Sequence, residues 1–100
     1  MKKHRSSGEA IRASRAITIV NRLGLHARPA AEFVRRANSF RSEIWLVTKA
    51  GRFSALSLID VMRANLDRGA TATLEASGVD AEEAVERLAR VVRELPDFAD

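Results

Sequence analysis

The stretch NRLGLHARPAAEFV (21–34) sets a histidine directly ahead of Ala-Arg-Pro, where an apolar pattern of helical period begins. Proline sits comfortably in the first turn of a helix, because the N–H it lacks is not needed there. Pro29 therefore predicts a helix start near residues 26–28 and places His26 at or beside its N-cap. The outward-pointing amides of such a turn, aided by the helix dipole, make an anion site. The same positive end favours a neutral, nucleophilic imidazole over imidazolium. Arg28 adds a permanent cation, and Gly24 gives the preceding turn the freedom to bring the ring over the helix end. A neutral imidazole beside an anion pocket and an arginine suits accepting a phosphoryl group and giving it up again. The competing reading is a histidine that only caps a helix in a binding module.

Other chemistries lack their parts. The 100-residue chain has no cysteine, and its second histidine, His4, lies in a polar N-terminal stretch. No carboxylate is placed to orient the His26 ring, so neither a hydrolytic triad nor a metal site is expected, and no cofactor. The chain is expected not to be an enzyme in its own right. No apolar run approaches the roughly 18 residues of a membrane span. The N-terminus lacks the apolar region of a secretory signal, so a cytoplasmic protein with no membrane insertion is expected.

The net charge of +4 points at first to nucleic acid. Its distribution does not. Lys2, Lys3, Arg5, Arg12 and Arg15 against Glu9 carry all of it, which leaves residues 16–100 neutral. Residues 1–15 read as a basic, disordered tail able to touch phosphates nonspecifically. The domain itself lacks exposed-looking aromatics beside basic residues, and nucleic acid is not expected as its partner.

The elements that must hold His26 can be read from periodicity. AITIVN (16–21) is β-branched and alternating, and reads as a strand. Ala30, Phe33, Val34 and Ala37 recur at three and four, giving an amphipathic helix over about 28–39. EIWLVTKAGRFS (43–54) reads as a hairpin turning at Lys49–Gly51. Ser57 is a good N-cap for a helix to Leu66, ended by Asp67-Arg68-Gly69. TATLEAS (71–77) is a fourth strand, Asp80 and Glu83 a capping pair, and Ala84, Val85, Leu88, Ala89, Val92 and Leu95 the inner face of a last helix stopped by Pro96. The order β-α-β-β-α-β-α predicts an α+β fold, an open-faced β-sandwich with a four-stranded antiparallel sheet and three helices on one face. The domain is expected over 16–95, with 96–100 a short C-terminal tail.

GLHARPAAEFV closely resembles the active-site segment of the HPr phosphocarriers of the phosphoenolpyruvate-dependent phosphotransferase system, and the resemblance runs from about Ala16 to Leu95, through SLIDVM and ASGVDAEEAVERL. It implies that His26 is phosphorylated on Nδ1 by phosphorylated enzyme I and passes the group to an IIA domain. It implies that Arg28 contacts the phosphoryl group and that Ala27 and Arg28 supply helix-end amides. Ser57 matches the serine that a dedicated HPr kinase/phosphorylase modifies in some bacteria, although a helix-capping serine already has a structural role. Ile59 and Met62 match apolar positions against which partners pack, with core packing as the other reading, whereas Leu58 and Val61 are the better core candidates. Arg35 and Arg36 suit an acidic partner surface or a solvated face. Asp60 stands where the family usually has glycine, and its carboxylate would repel an acidic partner and a phosphate on Ser57 alike. The resemblance leans toward the nitrogen-regulatory branch without choosing it over sugar transport, and implies a monomer. A regulatory or binding module that keeps the fold and acts by protein contact is the alternative.

Overall fold

Alternation of apolar residues drives the sheet together. Ile17, Ile44, Leu46, Ala72, Leu74 and Ala76 are all buried, and each lies on the same parity of its strand. In the computed structural model, which describes residues 11–96, they come from β1 (Arg12–Thr18), β2 (Glu43–Thr48) and β4 (Thr71–Ser77). With β3 (Gly51–Ser54) these form one antiparallel sheet in the order β1-β4-β2-β3. The register sets Ile17 opposite Ala72, Leu46 opposite Leu74 and Ile44 opposite Ala76, so one face carries continuous apolar rungs.

Three helices cover that face. From α1 (Ala27–Ala37) come Ala30, Phe33 and Ala37; from α2 (Leu58–Arg63) comes Val61; from α3 (Ala81–Glu94) come Ala84, Val85, Leu88, Ala89 and Val92. Phe33 and Leu88 are fully buried, and each such side chain contributes about 1.5–3 kcal/mol by leaving water. Helix α3 ends as expected: Leu95 turns extended (ψ 129°) ahead of Pro96, the conformation that a succeeding proline favours. The fold class expected from the element order is the one observed. No helix among the described residues is long and apolar enough to cross a membrane.

Three features differ from expectation. The first strand is Arg12–Thr18 rather than 16–21, so residues 12–15 belong to the sheet and not to a tail. Arg15 explains how a charged residue fits: it lies on the helix-facing parity, and its guanidinium reaches out to Glu86 of α3 at 2.6 and 2.7 Å. Its stem packs while its head stays at the rim. The remaining residues of the expected tails, 1–10 and 97–100, lie outside the described residues. Helix α2 is only six residues long, because Asn65 adopts a left-handed conformation (φ 54°) well before Gly69; asparagine tolerates that region better than most residues. Finally, Asp80 does not cap α3 with its side chain. Its carboxylate accepts instead from the Arg41 amide (2.9 Å) and the Ser42 hydroxyl (2.6 Å), tying the loop before β2 to the start of α3. The Ser42 hydrogen bond, aided by the Arg41 amide, holds the Asp80 carboxyl below the usual aspartate range.

Candidate functional site

His26 is the N-cap of α1, extended (φ −77°, ψ −171°), and its carbonyl accepts from the Ala30 amide at 2.8 Å. Its side chain makes no capping hydrogen bond. Helix geometry leaves the first-turn amides outside the intrahelical ladder, and Pro29, buried against the core, contributes no donor. The first turn holds no acidic residue, so no carboxylate of that turn competes with an incoming anion for the positive end of the helix. Ala27 and Arg28 are exposed in that turn.

The ring itself is half-buried. Its Nε2 is buried without a hydrogen-bond partner. In a neutral imidazole whose Nδ1 acts as nucleophile, Nδ1 is unprotonated and the ring proton is on Nε2.

The turn that delivers His26 is fixed at several points. The Gly24 amide donates to the Asn21 carbonyl (3.0 Å), and the Leu25 amide donates across to the Leu66 carbonyl (2.8 Å). Gly24 has φ +74°, and a Cβ there would lie 2.6 Å from the Leu66 carbonyl oxygen and 2.8 Å from Asp67 Cα. The glycine is needed both for its conformation and for this close approach.

Helix α2 lies beside α1. Ile59 is 71% exposed and Met62 41%, so neither is a core residue. Val61 is buried, as expected of a core candidate, but Leu58 is 40% exposed and joins Ile59 and Met62 in an apolar patch. Periodicity misplaces Leu58 because α2 has less than two turns, too few to define an inner face. Leu23 and Val20, on the segment leading to His26, are also exposed. At the start of α2 the Ser57 hydroxyl accepts from the Asp60 amide (3.2 Å), while the Asp60 carboxylate accepts from the Ser54 amide (3.1 Å).

Arg35 is not brought to His26. It lies two turns further along α1, where its Nε and Nη2 donate to the Glu32 carboxylate and Arg36 Nε donates to the same group at 2.7 Å. These two guanidinium groups, Arg35 first, hold the Glu32 carboxyl down to about 2. Among the described residues no group of three or more His, Asp or Glu side chains could hold a metal ion.

Residues 13–94 match the family described as the PTS HPr component phosphorylation site. The chain belongs to the HPr phosphocarrier family. It is 38% identical to the phosphocarrier protein HPr of Haemophilus influenzae over 82 residues, which is 82% of this chain and 96% of that protein. It is 42% identical to the HPr-like protein Crh of Bacillus subtilis over 71 residues, covering 71% and 84% of the two chains. Among solved structures it is similar to an HPr of Thermoanaerobacter tengcongensis at 37% identity and a TM-score of 0.78, with 81% of this chain and 91% of that one covered. Membership of the family makes the protein a phosphocarrier and not a catalyst in its own right, and makes other phosphotransferase-system proteins its partners.

Proposed function

We propose that His26 is the residue that carries the phosphoryl group, receiving it from phosphorylated enzyme I and delivering it to an IIA domain. The observation that carries this reading is the ring's insertion at the α1 N-terminus with Nε2 buried and no acidic residue in the first turn. The Nδ1 lone pair attacks phosphorus, a new N–P bond forms as the bond to the donor breaks, and the proton stays on Nε2. The Ala27 and Arg28 amides and the Arg28 guanidinium then stabilise the phosphoryl dianion. Transfer to the IIA domain is the same step in reverse. The carrier acts in the cytoplasm as a monomer, without cofactor.

Partners dock on the exposed apolar side chains Leu58, Ile59 and Met62 of α2, with Arg35 of the neighbouring α1 adding charge to the contact. Exposure of all three apolar side chains supports this. Ser57 is the position that HPr kinase/phosphorylase would modify. Its hydroxyl already accepts from the Asp60 amide, and a phosphate there would meet the Asp60 carboxylate.

Mixing the protein with phosphoenolpyruvate and enzyme I, then measuring intact mass, tests the main reading. One acid-labile phosphate is expected, absent in His26→Ala. A phosphate retained in the variant would place the acceptor elsewhere. No phosphate on the folded native protein would favour the regulatory reading that the likeness to Crh keeps in view. Adding the kinase and ATP instead reads Ser57, where Asp60→Gly is expected to raise labelling.

A further inference from the structure

Asn21 is 3% exposed, a rare degree of burial for a side-chain amide. Its Nδ2 donates to two backbone carbonyls at once, Leu95 O at 3.1 Å and Pro96 O at 3.3 Å, while its Oδ1 is buried with no partner. Leu95 is the C-cap of α3, and the last carbonyls of a helix have no amide of their own helix to pair with. Reversing the amide would turn an oxygen toward two carbonyl oxygens, so the contacts fix its orientation. An amide buried with one end unsatisfied is costly. What it supplies in return is the donor end, which bridges two segments 74 and 75 residues apart in sequence.

This bridge matters because Asn21 opens the turn that leads to the site. Its own carbonyl accepts from the Gly24 amide, Leu25 is held to Leu66, and His26 comes next. The turn is thus gripped on one side by the backbone before β4 and on the other by the end of α3. The first grip acts through main chain and a glycine. The second depends on one side chain.

We propose that Asn21 is a positioning residue for phosphotransfer, holding the turn so that the His26 ring keeps its place at the α1 N-cap with Nε2 buried. It rests on the reading of His26 as phosphoryl acceptor. Asn21 does not touch the phosphoryl group; it acts through the turn. Small displacements of a reacting group are enough to slow a transfer greatly, whereas the docking patch on α2 is a separate element and stays intact.

The test is the rate of phosphorylation of the full chain by phosphorylated enzyme I, with KM for the carrier and the maximal rate determined separately. Asn21→Ala and the isosteric Asn21→Asp, which removes the donor, are expected to lower the maximal rate about tenfold with KM changed by less than about twofold. Their His26 imidazole 15N shifts are expected to move. Val85→Ala, a core change in the first half of α3, should lower thermal stability and leave the rate alone. Pro96→Gly loosens the acceptor side at an exposed position and should lower the rate about two- to fivefold. Native rates in the Asn21 variants, an equal loss in Val85→Ala, a change confined to KM, or a native rate in Pro96→Gly if the Asn21 variants do not fold, would each overturn the proposal. Labelling that survives in His26→Ala would instead remove the His26 reading, a result independent of the Asn21 comparison.

Discussion

The starts of α1 and α2 are finished in opposite ways. At α2 the Ser57 side chain accepts from the Asp60 amide, and the first turn carries the Asp60 carboxylate. At α1 the capping position is held by His26, whose side chain caps nothing, and the first turn has no acidic residue. Helix ends ordinarily satisfy their amides and complement their dipole. The α2 start does both. The α1 start has no side-chain cap and no acidic residue in its first turn, and holds a ring nitrogen buried without a partner. On the proposed role of His26, the difference separates an end built for stability from one left open for an anion.

If α1 is held in place by its surroundings rather than by its own cap, the largest loss should come from the turn that delivers it. Gly24→Ala forces a Cβ to within 2.6 Å of the Leu66 carbonyl oxygen at φ +74°. Strain and displacement together should cost about 2–4 kcal/mol. In a domain of this size that lowers Tm by at least about 8 °C. A thermal melt checks it; a drop of less than about 3 °C would mean that the turn gives way freely and does not position His26.

At the finished end the expected loss is smaller and has no functional side. Ser57→Ala removes the acceptor for the Asp60 amide and should cost about 1 kcal/mol in urea unfolding. The rate of phosphate gain from enzyme I should not change. A slowed transfer would show that α2's cap also serves the reaction, and the contrast between the two ends would blur.

The same contrast explains how far residues alone reveal the molecule. His26, Arg28 and Pro29 are neighbours in sequence, and one proline rule locates them on a helix end, so the site needs no tertiary information. Strand β4 and helix α3 are legible because their periods are long and clean. Where charge interrupts a pattern, legibility fails: Arg15 occupies an inward parity between Ala13 and Ile17, and only the distant Glu86 accounts for it. Asp80 and Glu83 have capping spacing, yet the Asp80 carboxylate goes to Arg41 and Ser42 across the fold. Asn21 gives no local sign of its two contacts with residues 95 and 96. Leu58 is lost to the shortness of α2.

Giving α1 the kind of cap that α2 has should reverse the sign of the effect. In His26→Ser a hydroxyl can accept from the first-turn amides, and the unpaired buried nitrogen disappears. A gain of about 0.5–1 kcal/mol in unfolding free energy is expected, together with complete loss of phosphate acceptance. A destabilised variant would mean that the buried ring edge contributes more by packing than the missing cap takes away.

The third helix start gives the subtlest test, because its carboxylate serves the loop before β2 and not the helix amides. Folding lowers the Asp80 carboxyl below its ordinary 3.8, chiefly through the Ser42 hydroxyl. A group whose folded pKa is depressed adds stability above its unfolded value and loses it as pH falls through the folded one. Glu32 behaves alike, its arginine pairs losing their contribution between the ordinary 4.5 and about 2. Urea midpoints measured from about pH 6 downward should therefore fall below about pH 4.5. Asp80→Asn should remove the part of that fall centred below 3.8, and Glu32→Gln the part that extends toward 2. If Asp80→Asn left the acid limb unchanged, the Asp80 tie to Ser42 would carry no stability. The start of α3 would then resemble that of α1, an end held by its surroundings rather than by its own side chain.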